Sequence, residues 1–178
     1  MHNEITDFWF VEIDKVKWFK KDESFDELIR SRFSDIHAQA SKCELFSWRS
    51  TALGCLAEII VLDQFSRNMF RGKAESFAYD SLALSLAQSA ISKGFDSELT
   101  QQQRSFVYMP FMHSESLIIH QQAVSLFTSL GVESNLKFEI KHKLIIERFG
   151  RYPHRNKILG RASTSEEDSF LLQPGSGF

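Results

Sequence analysis

The chain has 178 residues, enough for one domain that buries roughly two thirds of its unfolded surface without disulfides or metals. Its 21 Lys plus Arg and 23 Asp plus Glu give a formal net charge of −2, which excludes a broad basic surface for nucleic acid or an anionic membrane. Seventeen Phe against three Pro and eight Gly favour a helical core filled by large rings.

The cysteines and the lengths of the apolar runs indicate the cellular compartment of the protein. Cys43 and Cys55 stand apart from any Cys/His cluster at metal-ligand spacing, so we expect reduced core thiols. The start of the sequence has no basic segment followed by an apolar run, and apolar stretches such as residues 59–62 are far shorter than the ~20 residues of a membrane span. We therefore expect a soluble cytoplasmic protein with no membrane partner and no cofactor.

The first third of the chain predicts two helices. Apolar residues recur with helical period over residues 5–20, where we expect one helix with a break midway. Ser24 and Glu27 fit a capping box, in which each side chain satisfies the other residue's free backbone N–H. The amphipathic helix behind this box extends to Ala40.

A third helix is apolar nearly all round over residues 53–65, which predicts a central and buried position. Its end carries Asp63, Gln64, Arg67 and Asn68, at spacings that place all four side chains on one face. Polar side chains at the end of a buried helix need partners, so these residues form a candidate site.

The second half of the chain continues the helical pattern. A fourth helix is predicted over residues 75–93, and Thr100 and Gln103 fit a second capping box. We expect Pro110 to interrupt the helix that follows, because proline lacks a backbone N–H. The next helix covers residues 114–130.

The helix over residues 133–149 has Leu136, Ile140, Leu144 and Ile145 on its predicted core face. Thr164 begins a third capping box, which starts a last short helix. No segment alternates with period two, and no Asn-Gly or Asp-Gly hairpin occurs. We therefore predict an all-α single domain over residues 1–178, with a flexible C-terminal tail at about residues 173–178.

The segment of residues 142–161 is a local basic island in a slightly acidic chain. Gly150 and Pro153 break it, and its basic residues are Arg148, Arg151, His154, Arg155, Lys157 and Arg161. Charge at this density needs a partner, either carboxylates of the fold or an anionic ligand. Nucleic acid is an unlikely partner, because acidic residues follow directly downstream and the total charge is negative.

Three polar groups lie at or beside predicted helix ends. They are Asp63, Arg67, Asn68 and Arg71; His113 and Glu115; and Arg148, Arg151, His154, Arg155 and Asn156. Our hypothesis is that they converge in one pocket, where Arg67, Arg148, Arg151 and Arg155 hold a phosphate or carboxylate in forked hydrogen bonds. His113 or His154 would sense or move a proton there, with Glu115 as a further candidate for acid–base work.

The same residues also fit a structural interpretation. Asp63, Glu115 and Glu147 can take up the arginines as internal ion pairs, while the imidazoles cap helix carbonyls. A metal site is not predicted, because His113 and Glu115 are two residues apart and do not share a helix face. We expect His120 to be solvated. The sequence has no Gly-x-Ser-x-Gly elbow and no glycine-rich phosphate loop.

Three ordered motifs resemble one bacterial family. They are L-D-Q-F-S-R-N-M-F-R-G at residues 62–72, M-P-F-M-H-S-E at 109–115 and R-F-G-R-Y-P-H-R-N-K-I-L-G-R at 148–161. They resemble the family catalogued as domain of unknown function nine-two-four, and the resemblance covers nearly the whole chain. It implies a tetratricopeptide-like array of antiparallel helix hairpins and supplies no activity. Ser66 departs from the family pattern, which has Pro at that position.

Two functions from different classes follow. The first is a binding protein or enzyme for a small anionic molecule, with the arginine and histidine cluster as its site. The second is an interaction module, in which a groove between stacked helices accepts a protein partner and the charged motifs are a structural ion-pair network. We favour the first, because the three motifs place charged residues in apolar surroundings.

Overall fold

The computed structural model describes residues 2–177, and Phe178, the last residue of the predicted tail, lies outside this range. All regular secondary structure in the described range is helical, which confirms the all-α prediction. The chain forms two compact units. The first unit comprises the described residues up to Arg71 together with Glu75–Pro110, and the second comprises Gly72–Ala74 and the described residues from Phe111 onward.

The α-helices are α1 (His2–Asp7), α2 (Glu23–Ser41), α3 (Ala52–Ile60), α4 (Ser66–Met69), α5 (Asp80–Ser92), α6 (Gln101–Met112), α7 (Leu117–Leu130), α8 (Glu133–Phe149) and α9 (Ser165–Leu171). Two π-helical turns extend the first and third helices, over Phe8–Glu12 and Val61–Phe65. Such turns widen a helix by one residue and occur frequently at functional sites.

Large aromatic rings fill the core of the first unit, as the composition predicts. Phe8, Trp9, Phe33 and Phe65 are all at most 1% exposed. The ring centroids of Phe8 and Phe33 lie 4.9 Å apart, and those of Phe33 and Phe65 lie 5.0 Å apart. Each such pair adds about 0.5–1.5 kcal/mol beyond the burial of its area. Phe65 closes the second π-helical turn, so this packing fixes the position of the neighbouring Asp63.

Ser66, the first residue of α4, lies in a hydrogen-bonded network. The Ser66 hydroxyl donates to the Leu62 carbonyl at 2.6 Å, and it lies 2.8 Å from Nε2 of the buried His37. Since the hydroxyl proton is directed to Leu62, the imidazole N–H of His37 donates to the Ser66 oxygen. The network therefore positions Ser66 and does not activate it as a nucleophile.

Two helix starts show how local signals succeed and fail. Asp22, and not Ser24, caps α2, because its carboxylate accepts the Phe25 backbone N–H at 3.1 Å. The predicted box at Ser24 is therefore wrong. Thr100 and Gln103 do form the predicted box, with the Gln103 N–H donating to the Thr100 hydroxyl at 3.3 Å and the Gln103 amide oxygen accepting the Thr100 N–H at 3.0 Å.

Three other local predictions are corrected. Pro110 does not interrupt α6, which continues for two residues beyond it to Met112. The fourth predicted helix is shorter, since α5 begins only at Asp80 after a 3₁₀ turn over Ala74–Phe77. Cys43 is exposed at a positive φ of 60°, so it is not a core thiol, whereas Cys55 is buried.

The second unit is built on a hairpin of α7 and α8. Gly131 ends α7 at φ 75°, a left-handed conformation that suits glycine, and only Gly131 and Val132 separate the two helices. The apolar core of the second unit contains Ile145, Ile146 and Tyr152. The hairpin agrees with the predicted architecture, while the tetratricopeptide-like arrangement and the single domain stay predictions.

Thr164 and Glu167 form the predicted capping box at the start of α9. The Ser176 hydroxyl beyond this helix donates to the Leu171 carbonyl at 3.0 Å, and Ser176 is 9% exposed. The flexibility of the tail stays a prediction.

Candidate functional site

Carboxylates hold Arg67 in the first unit. Its guanidinium makes a forked pair with Asp80 at 2.9 and 3.0 Å, and Nη1 also lies 3.0 Å from Asp63 Oδ1. Asp63 is 1% exposed, and its other oxygen accepts a hydrogen bond from the Gln64 amide at 2.5 Å. The π-helical turn therefore delivers Asp63 to a network within the protein.

Asn68 and Arg71 meet on one buried carboxylate. Arg71 donates to Asp26 from Nε at 2.5 Å and from Nη2 at 2.8 Å, and the Asn68 amide donates to the same group at 2.8 Å. Asp26 lies on α2 and is 5% exposed. The polar residues at this end of the third predicted helix are thus satisfied by side chains of the first unit itself.

Carboxylates of α9 bind two arginines of the basic island in the second unit. Arg151 makes a forked pair with Glu167 at 2.6 and 2.8 Å, and Arg148 lies 2.8 Å from Glu166. The hydrogen bond from Arg151 lowers the pKa of Glu167 to about 2. These partners differ from the predicted Glu147, which pairs with Lys143.

Glu115 binds Arg161, a partner that the sequence did not indicate. Its two oxygens accept from the Arg161 guanidinium at 2.6 and 2.9 Å, and one also accepts the Tyr152 backbone N–H at 2.8 Å. Burial works to raise the pKa of Glu115, but the bonds from Arg161 and Tyr152 hold it below its usual value. Glu115 is therefore an ionised anchor for the loop that carries Tyr152.

Tyr152 is the hub of a buried polar cluster in the second unit. Its phenol is 1% exposed and donates to the Met112 carbonyl at 2.5 Å. Around its ring lie the imidazoles of His120, His142 and His154, with ring centroids 6.3, 5.7 and 5.5 Å away. We call this cluster the polar centre, and its members are His113, His120, Glu139, His142, Tyr152, His154 and Arg155.

His120 and Glu139 form a fully buried pair. Both side chains are 0% exposed, which makes the prediction of a solvated His120 wrong. The His120 Nδ1 lies 2.7 Å from Glu139 Oε1, and its Nε2 lies 2.9 Å from the Ser114 carbonyl and 3.1 Å from the Tyr152 oxygen. A carbonyl only accepts, so Nε2 carries a hydrogen and the contact with Glu139 contains one shared proton.

Burial raises the pKa of Glu139, although the hydrogen bond from His120 opposes this effect. The second oxygen of this carboxyl group, Oε2, is fully buried and accepts no hydrogen bond from the residues that the structure describes. A buried carboxyl oxygen without a donor costs about 1–3 kcal/mol. This atom is therefore an unusual feature of the polar centre.

His142 stays neutral at ordinary pH. It is 6% exposed, and its Nδ1–H donates to the Phe138 carbonyl at 2.8 Å. Burial, together with smaller contributions from the charges of His113, His120 and His154, lowers the pKa of His142 to about 3. The imidazoles of the polar centre are therefore close enough to repel one another when they are protonated.

Arg155 and Asn156 bring the basic island into this cluster. The Arg155 guanidinium donates to the His113 carbonyl at 3.0 Å, and its central carbon lies 4.7 Å from the centroid of the Tyr152 ring. Arg155 is 6% exposed and Asn156 is 1% exposed. The Asn156 amide donates to the Ser163 hydroxyl at 3.1 Å, and its oxygen accepts from Arg161 at 3.0 Å.

The buried face of α8 includes Ile145, as predicted, but differs from the prediction at other positions. Glu139 and His142 point into the unit, whereas Ile140 and Leu144 are 42% and 57% exposed. The predicted core face is therefore wrong for these two residues. Glu139, His142 and Ile146, at i, i+3 and i+7, also share one helix face. Apolar periodicity does not predict that this face is buried, because two of the three residues are polar.

Of the residues predicted to form a site, the second unit brings His154 and Arg155 against the Tyr152 ring, and the His113 carbonyl accepts a hydrogen bond from Arg155. Sequence reasoning missed His120, Glu139, His142 and Tyr152 as members of the centre. That all three predicted groups share one pocket stays a prediction. Within residues 2–177, no three His, Cys, Asp or Glu side chains are placed to hold a metal ion, and no helix is long and apolar enough to cross a membrane.

Comparisons with known proteins agree with the fold. A family model described as a bacterial protein of unknown function, DUF924, matches residues 5–175. The chain is similar to a solved structure of a protein of unknown function, ATU0120 from Agrobacterium tumefaciens, with 42% identity and a TM-score of 0.92. The match covers 96% of each chain. No curated protein matches the chain.

Proposed function

The chain belongs to the DUF924 family of bacterial proteins of unknown function, and we propose that it binds a small anion, bearing a phosphate or carboxylate, at the polar centre. The observation that carries this proposal is the orientation of α8, which buries Glu139 and His142 and leaves Ile140 and Leu144 exposed. Burying polar side chains in place of available apolar ones lowers stability, and such violations concentrate at functional sites.

The charges of the polar centre favour an anion. Three imidazoles and the guanidinium of Arg155 lie around the Tyr152 ring, and the charge of His113 helps to lower the pKa of His142. Of the nearby carboxyl groups, Glu115 is bound by Arg161, and burial raises the pKa of Glu139 towards its neutral form. Guanidinium and imidazole N–H groups are suited to phosphate and carboxylate oxygens, so this group of side chains can bind a small anion.

Within this proposal the predicted residues divide into two sets. His113, His154 and Arg155 contact the anion, and the two histidines are the groups that move a proton if the anion reacts. Arg67, Arg148 and Arg151 bind carboxylates of the protein and hold the fold. The structural set also includes Asp63, Asn68, Arg71, Glu115 and Asn156.

A thermal-shift screen with inorganic phosphate, sugar phosphates and dicarboxylates tests the proposal. A ligand at 100 times its Kd stabilises the native state by about 2.7 kcal/mol, which raises Tm by roughly 5–10 °C for a chain of this length. Arg155→Met should abolish the shift. Arg148→Met is the matched control, because this arginine belongs to the same basic island, is 48% exposed and lies in an ion pair with Glu166.

The control should keep the full shift. A saturable shift that Arg148→Met removes and Arg155→Met retains would contradict the proposed site, and so would the absence of a shift with every anion class. Circular dichroism at 222 nm establishes that each variant is folded before its ligand response is compared.

One observation favours a second function, that of a protein interaction module. Ile140 and Leu144 lie on one exposed stripe of α8, four residues apart, and a partner helix could cover them. Ile140→Lys with Leu144→Lys would then abolish co-purification of a protein partner without lowering Tm. Retention of that partner would contradict this second function.

We also propose that the protein acts in the cytoplasm. Both cysteines are free thiols, including the exposed Cys43, and exposed free thiols are typical of reducing compartments.

A further inference from the structure

The unsatisfied oxygen of Glu139 indicates that the ligand has a hydrogen-bond donor in addition to its anionic group. Oε1 of this residue is engaged by His120 at 2.7 Å, while Oε2 is buried and accepts no hydrogen bond within residues 2–177. The Glu139 side chain is 0% exposed, so bulk water does not reach this oxygen. The hydrogen-bonding capacity of this buried acceptor is satisfied only when a donor is bound to it.

The remaining neighbours leave that acceptor to a ligand. Tyr152 directs its hydroxyl proton to the Met112 carbonyl, and the Nδ1–H of His142 is directed to the Phe138 carbonyl. Lys143 on the same helix lies close enough to affect the pKa of Glu139, but its ammonium group is paired with Glu147. None of these three donors is directed to Oε2.

We propose, as an extension of the proposed function, that the ligand is a hydroxylated acid whose hydroxyl group donates to Glu139 Oε2 while its phosphate or carboxylate binds Arg155. A hydroxyl donor fits better than an ammonium group, because the guanidinium of Arg155 would repel a second cation. The pair of His120 and Glu139 keeps its single shared proton in this arrangement. No bond is made or broken.

Matched ligands that differ by one hydroxyl group test the inference by isothermal titration calorimetry. Glycerol 3-phosphate is compared with propyl phosphate, and lactate with propionate. Each hydroxylated ligand should bind roughly tenfold to hundredfold more tightly than its partner, as expected for a hydrogen bond to a buried carboxyl oxygen. Alanine tests the ammonium alternative, and it should bind no better than propionate.

Two variants of Glu139 give the residue-level test. Glu139→Met removes the acceptor, so the ratio of the affinities for glycerol 3-phosphate and propyl phosphate should fall to about one. Glu139→Gln keeps an amide oxygen in place of Oε2 and an N–H towards His120 Nδ1, so most of the preference should return. The wild-type ratio tests the inference even if Glu139→Met does not fold.

The outcomes separate the two proposals. If propyl phosphate and glycerol 3-phosphate bind wild-type protein equally, the hydroxyl inference is overturned and anion binding stands. If no phosphate or carboxylate binds, the proposed function itself is wrong. A preference that persists unchanged in folded Glu139→Met would assign the hydroxyl contact to another residue and overturn the inference.

Discussion

His142 should make the protein sensitive to acid in a defined pH window. Its folded-state pKa is lowered to about 3, whereas an unfolded histidine titrates near 6.5. The unfolded chain therefore binds a proton that the folded protein rejects. The stability contributed by neutral His142 is fully present above pH 6.5 and is lost as the pH falls towards 3.

The size of the effect follows from the difference between the two pKa values. Each unit is about 1.4 kcal/mol, so His142 contributes up to about 5 kcal/mol, of which roughly 3 kcal/mol is lost between pH 7 and pH 4. His142 is 6% exposed, so solvent screens its charge only weakly. A loss of this size is a large part of the stability of an ordinary domain.

Urea unfolding at pH 7 and pH 4 measures the effect in wild-type protein and in His142→Asn. Asparagine places an N–H near the position of the imidazole Nδ1, so it can keep the bond to Phe138 without a titrating group. The loss of unfolding free energy between the two pH values should be smaller in His142→Asn by about 3 kcal/mol. Lys141→Gln, on the exposed side of the same helix, is the control and should match wild type. Equal pH dependence in wild-type protein and His142→Asn would refute the assigned neutral imidazole.

Three substitutions should separate buried ion pairs from exposed ones. Arg67→Met removes the ion pair with the 1% exposed Asp63 and should lower the free energy of unfolding by about 3–5 kcal/mol in a urea titration. Arg148→Met removes an exposed pair and should change it by less than about 1 kcal/mol. Glu115→Gln weakens the contact with Arg161 and should lower Tm measurably. It should also make the loop that carries Tyr152 more susceptible to limited proteolysis. Equal losses for Arg67→Met and Arg148→Met would contradict the division between these pairs.

Local signals in the sequence predicted much of the fold. Thr164 with Glu167 and Thr100 with Gln103 are capping boxes because all the groups involved lie within three residues. Gly131 ends its helix for an equally local reason, its positive φ. The all-α class likewise follows from periodicity within each segment.

Partners that are distant in sequence were not predictable in this way. Glu115 meets Arg161 across 46 residues, and Arg71 meets Asp26 across 45, so only the tertiary fold brings these charges together. The sequence indicated that the arginines needed carboxylates, but it did not identify which ones.

The orientation of α8 was mispredicted for a related reason. Apolar periodicity favours burial of Ile140 and Leu144, but the fold buries Glu139 and His142 because His120 and Tyr152 supply polar partners for this face. Those partners lie on α7 and on the loop after α8. The polar centre therefore could not be derived from α8 alone.

The most direct test of anion binding at the polar centre is a ¹⁵N NMR titration of the imidazole nitrogens with glycerol 3-phosphate. Binding there predicts saturable shifts for His113, His142 and His154, with one common Kd, and much weaker responses in Arg155→Met. His2 and His37 belong to the first unit and serve as internal references that should not move. Imidazole signals that do not respond in the second unit, or that respond equally in both units, would contradict the account.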